Sequence, residues 1–136
     1  MRSKLIIIIL PLFLAGCIPS AITKGGKEAA PPGEFAQGAV VGGFPNLPRY
    51  PKLRIVESVK SGDSFGASFV TKDPIDKVLT FYTDTLPQLG WDSQMIKHSE
   101  TNYELKSKNA QFEGIIIINV AADGTTVAVT YSFSPR

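Results

Sequence analysis

Over 136 residues the chain carries 14 basic and 12 acidic side chains, one cysteine and one histidine. Arg2 and Lys4 sit in the first sixteen residues with no acid beside them, so residues 17–136 are balanced at 12 and 12 and offer no basic footprint for nucleic acid. The single Cys17 excludes an internal disulfide, which leaves a core drawn from about 90 residues to hold the fold.

A short positive start, Met1-Arg-Ser-Lys4, leads into ten mostly apolar residues, Leu5 to Leu14, and then the small pair Ala15-Gly16 before Cys17. That order is the order of a secretory signal. Ten helical residues rise only about 15 Å, half the thickness of a bilayer core, and Pro11 interrupts them, so the run is too short to remain as a span. Leu14-Ala15-Gly16-Cys17 resembles the lipobox of bacterial lipoproteins. The resemblance implies cleavage between Gly16 and Cys17, with S-diacylglycerol and an N-acyl chain on Cys17. Such an anchor buries many methylenes at about 0.8 kcal/mol each, and its thioether removes the only thiol from chemistry. Ile18, in place of the Asp associated with inner-membrane retention in that family, implies the outer membrane, periplasmic side, if the cell has two. Otherwise the implied place is the outer face of the plasma membrane.

Three segments are expected: a signal over residues 1–16, a lipidated Gly/Pro/Ala-rich tether over 17–47, and a small domain over 48–136. The end of the tether carries Phe35, Val40, Val41, Phe44 and Leu47, apolar enough to dock on the domain. Leu53 to Lys60 reads as a strand, Ser61-Gly-Asp-Ser64 as a turn, and Phe65, Ala67, Phe69 and Thr71 as one face of a second strand. Asp73-Pro74 offers an N-cap and a proline at the first helical position. Ile75, Val78, Leu79, Tyr82, Leu86 and Leu89 form one helical face, loosened at Pro87 and stopped at Gly90. Period two returns in Trp91 to His98, in Tyr103 to Lys108, in Phe112 to Val120 and from Val127 to Phe133, with Asp123-Gly124 at the last turn.

The expected fold is α+β: a single antiparallel sheet in the order β-β-α-β-β-β-β, with one helix packed on one face. Tyr50-Pro51, Phe69 to Pro74, Phe81-Tyr82, Leu86 and Leu89-Gly-Trp91 are similar to small domains of bacterial envelope lipoproteins in which a Phe-Tyr helix leads through Gly-Trp into a strand meander. That resemblance spans residues 50 to 133 and implies the same fold without an established activity.

Candidate chemistry is sparse. Gly62-Asp63-Ser64-Phe65-Gly66 matches the nucleophile-elbow pattern, and His98 lies downstream of it, but Phe65 opens a strand where an elbow needs a helix. A serine hydrolase is therefore the remote reading, and no catalytic residue is assigned. His98 has only Glu100 near it, so no metal site and no cofactor is expected. Arg49, Lys52 and Arg54 form a small basic cluster, and Trp91, Phe81 and Tyr82 serve either the core or a pocket. Ile115-Ile-Ile-Ile118 puts apolar side chains on both sheet faces, so the face away from the helix should be covered by the tether, a second copy or a partner. The expectation is a lipid-anchored, non-enzymatic binding or scaffolding module, joined to the membrane through covalent lipid and to an envelope protein or itself through the open sheet face. A small-ligand carrier with a cavity between helix and sheet is the alternative.

Overall fold

In a computed structural model, the structure describes residues 36–37 and 40–136. The signal expected at 1–16, the Leu14-Ala15-Gly16-Cys17 motif, Phe35 and most of the expected tether lie outside the described residues. The elements are β1 (Ala36–Gln37), β2 (Arg54–Ser61), β3 (Ser64–Thr71), α1 (Ile75–Gln88), β4 (Asp92–Ser99), β5 (Asn102–Lys108), β6 (Phe112–Val120) and β7 (Val127–Pro135). They form one antiparallel sheet in the order β1-β2-β3-β7-β6-β5-β4, with α1 on one face. This is the expected α+β architecture, extended at one edge by the two-residue β1.

The hairpins form where the turn chemistry sits. Ser61 pairs with Ser64 around Gly62, whose φ of 57° is open to glycine at little cost. Asp123 closes the β6–β7 turn through its own carboxylate: Oδ1 accepts from the Thr125 and Thr126 amides at 2.9 and 2.8 Å.

The start of α1 departs from expectation. Pro74 stands at the N-cap with no side-chain hydrogen bond to the helix. The Asp73 carboxylate is taken instead by the Tyr50 hydroxyl and by Lys52 at 3.5 Å. The end of α1 agrees closely with the sequence. Gly90 (φ 82°) lets its own amide reach Pro87 O at 3.1 Å and the Trp91 amide reach Leu86 O at 3.0 Å. This paired pattern ends the helix and turns Trp91 back onto Leu86.

Val78, Tyr82 and Leu86, four residues apart, form the buried stripe of α1. They meet Phe69, Leu105, Ile116, Ile118, Val129 and Phe133 from the sheet. Burying each such apolar side chain contributes about 1.5–3 kcal/mol. The helix cannot cover this face alone. Six long strands spaced about 4.8 Å apart make a sheet roughly 25 Å wide, against about 10–12 Å for a helix with its side chains. α1 approaches β4 and β6; the β2–β3–β7 side is covered by a strap, residues 41–50. Val41 is 2% exposed, and Phe44, Leu47 and Tyr50 pack on the core. The packed unit therefore begins upstream of the boundary expected at residue 48.

The opposite sheet face is less apolar than the run of isoleucines implies. Cross-strand register sets Ile115 between Ser132 and Lys106, and Ile117 between Thr130 and Glu104. Both isoleucines are half-buried, and the β3 and β7 columns beside them are mostly Ser, Thr and Gly. It is the helix side that needs a second cover.

Candidate functional site

The strap lies against a seat built from three strands and the residue just past the end of α1. Alternation on β7 sends Tyr131 and Phe133 to the helix side, β3 contributes Phe65 and Phe69, and the helix stop delivers Trp91. The rings interlock edge to face: Trp91 on Phe133 at 5.3 Å, Phe44 on Phe65 at 5.5 Å, and Tyr82 against Tyr131 at 6.2 Å.

Polar atoms of this seat hold the strap's backbone. The Val41 amide donates to Ser58 Oγ at 2.9 Å, the Trp91 indole Nε1 to Asn46 O at 3.0 Å, and the Tyr131 hydroxyl to Pro48 O at 2.8 Å. With its proton committed to Pro48, Tyr131 accepts from the Tyr82 hydroxyl. Burial pushes the Tyr82 phenol up to about 12. Burial also raises Tyr131 well above its ordinary range, and the adjoining Tyr82 adds to the rise. Both phenols are therefore neutral donors at ordinary pH, in a chain that ends on a carbonyl. No buried side-chain polar atom among the described residues lacks a hydrogen-bond partner.

Ser64 and His98 are not brought together. Ser64 opens β3 at the hairpin, whereas His98 lies on edge strand β4, four strand spacings or roughly 19 Å across the sheet. His98 Nε2 stands 3.0 Å from Glu104, not beside Glu100, which is bonded to Lys97. No cluster of three or more His, Cys, Asp or Glu fit to hold a metal occurs among the described residues.

The basic trio divides. Lys52 and Arg54 join Lys72 around an open groove over Val70 and Thr126, with Asp73 on its rim. Lys72 is itself held by Asp123 and Thr126. Arg49 lies on the strap, close enough to Tyr82 and Tyr131 for its charge to reach them. A larger open groove on the outer face, about 710 Å³, runs past Ser64, Gln94, Lys106, Ile115 and Ser132.

Of the aromatics singled out by sequence, Trp91 and Tyr82 belong to both the core and the seat, and Phe81 packs on Tyr50 at 5.4 Å. Tyr131 and Ser58, which hold the strap, carry no mark in the sequence beyond their place in alternating strands.

A family model described as START domain-like matches residues 55–135. The chain belongs to that family. The START domain-like unit thus contains every strand from β3 onward, most of β2, the helix and the whole aromatic seat. The strap lies outside it. No curated protein and no solved structure matches the chain.

Proposed function

We propose that this protein is a lipid-anchored, non-enzymatic ligand-binding module of the bacterial cell envelope, with the helix side of its sheet as the binding face. Membership of the START domain-like family carries this reading, because it suggests a ligand-binding unit and covers the whole seat. A binding face of mostly apolar side chains with a few placed donors fits Trp91 and Tyr131 among the core aromatics. In the structure that face is filled by α1 and the strap, so a ligand enters by displacing chain. The outer face, with Ile115 and Ile117 framed by polar neighbours, gives less support to docking of a partner there.

Cys17, after cleavage at Gly16, would supply the anchor as S-diacylglycerol with an N-acyl chain, and Ile18 favours the outer membrane in a two-membrane cell. No helix among the described residues is long and apolar enough to cross a membrane.

Native mass spectrometry of the protein, released from its own membranes in mild detergent, tests both halves. The expected species starts at a triacylated Cys17 and carries additional mass of a bound ligand. An intact Met1 or a bare Cys17 overturns the anchor; absence of any ligand, with no uptake of added apolar probes, overturns the binding module.

A further inference from the structure

Burial along the strap repeats every three residues. Gly43, Asn46, Arg49 and Lys52 are exposed, while Val41, Pro45 and Pro48 are buried and Phe44, Leu47 and Tyr50 are half-buried. Pro45 and Pro48 share that three-residue spacing; Pro51 continues it in sequence but is exposed, in the turn just past the strap. Period three belongs to the polyproline type of extended chain, which has no internal ladder and leaves its carbonyls free to accept. A hydrogen bond from the Leu47 amide to Pro45 O at 2.9 Å tightens it locally at Asn46. Those carbonyls are met by the groups that proline-rich segments meet in aromatic grooves: an indole N–H at Asn46 O and a phenolic hydroxyl at Pro48 O.

We propose that the seat is a recognition site for proline-rich peptide, and that the strap is its intramolecular ligand. The proposal rests on the reading of the helix side as the binding face, and it names the ligand class. Trp91, Tyr131 and Phe65 all lie within the START domain-like match, while the strap lies before it, so the seat and its occupant are separable parts of the chain. Gly42-Gly43, with Gly43 at φ 79°, turns the chain between Val41 and the rest of the strap. A partner segment with the spacing Pro-x-x-Pro would take the same two donors. It must compete with a tethered copy whose effective concentration is of millimolar order.

The test uses the full chain and a labelled peptide of residues 40–53, monitored by fluorescence anisotropy and by the NMR signal of the Trp91 indole. Phe44→Ala and Leu47→Ala loosen the resident strap. Each folded variant should bind the peptide at least about tenfold more tightly than the unaltered chain, with a shift of the Trp91 signal. A peptide of the same composition with its prolines moved off the three-residue spacing should not bind. Equal binding of both peptides, or none by a variant whose spectrum is folded, overturns the proposal. In the unaltered chain, the Trp91 indole should exchange its proton faster than the β6 and β7 amides; exchange only together with them also overturns it. A fluorescent fatty acid separates the two readings. Its uptake without peptide binding sinks the proline-rich site and leaves the binding face standing, whereas peptide binding without its uptake supports the site.

Discussion

Tyr131 donates its hydroxyl proton to the carbonyl of Pro48, 83 residues earlier in the chain, at 2.8 Å and within the core. Tyr82 of α1 then donates to Tyr131. Helix, sheet and strap thus meet in one polar chain, and its direction ranks the two tyrosines. Tyr131→Phe leaves Pro48 O buried without its donor and strands the Tyr82 proton, a loss of about 1–3 kcal/mol. Tyr82→Phe removes a donor but leaves the Tyr131–Pro48 bond intact, and should cost about 1 kcal/mol. Urea titrations of the two variants should show that order; the reverse order would mean that the Tyr131 proton is committed to Tyr82 rather than to Pro48 O.

The same pair makes the protein sensitive to base. Burial holds Tyr82 at about 12 and Tyr131 well above its ordinary 10, whereas both phenols ionise near 10 once unfolded. Above pH 10 the unfolded chain therefore binds fewer protons than the native one, and stability falls as pH rises through 10 toward 12. Below pH 10 this contribution is fully present. Urea midpoints at pH 9 and pH 11 should fall further for the unaltered chain than for a variant carrying both Tyr82→Phe and Tyr131→Phe. Parallel falls would show that the phenols do not drive the change.

Gly114 is required for space. A Cβ there would lie 2.1 Å from Ser132 O and 2.7 Å from both Cα and Cδ1 of Phe133. The Phe133 ring packs where a side chain at 114 would stand, which lets it meet Trp91. Gly114→Ala should cost about 3 kcal/mol, the upper end for overpacking a core. Gly66, on the neighbouring side of β7, gives the contrast: its nearest contact would be Val59 Cγ1 at 3.2 Å, the end of an exposed side chain. Gly66→Ala should shift the thermal midpoint far less; equal shifts would show that β6 and β7 part more readily than their contacts suggest.

Sequence patterning locates α1 and the strands because Val78, Tyr82 and Leu86, and Val127, Val129, Tyr131 and Phe133, carry clean periods of 3.6 and 2. The strap escapes both templates. Its period is three, and its Gly42-Gly43 and spaced prolines have the composition of a linker, so only long-range bonds from Ser58, Trp91 and Tyr131 distinguish it from one. The outer face misleads for a related reason. Ile115 and Ile117 are apolar in sequence, but their neighbours Ser132, Thr130, Lys106 and Glu104 are set by register, which a single strand does not reveal. Seat residues such as Tyr131 carry no chemical signature beyond that of a core strand.

Asp73 gives a last test, because two partners compete for it at the start of the helix. Sequence offers it as an N-cap, yet its carboxylate accepts from the Tyr50 hydroxyl at the end of the strap, with Lys52 beside it. The Tyr50 hydrogen bond, helped by the Lys52 charge, holds Asp73 below the usual carboxylate range. A depressed folded-state value contributes stability above the unfolded value of 3.8, and that contribution is lost as pH falls through the folded one. Asp73→Asn should therefore lower the thermal midpoint at pH 7, and the gap from the unaltered chain should close as the solution is taken below pH 3.8. Tyr50→Phe should reproduce much of the same pH-dependent gap, since it removes the main cause of the depression. If Asp73 instead capped the helix, Tyr50→Phe would leave the acid limb of the curve unchanged, and Asp73→Asn, an adequate cap in its own right, would cost little at any pH.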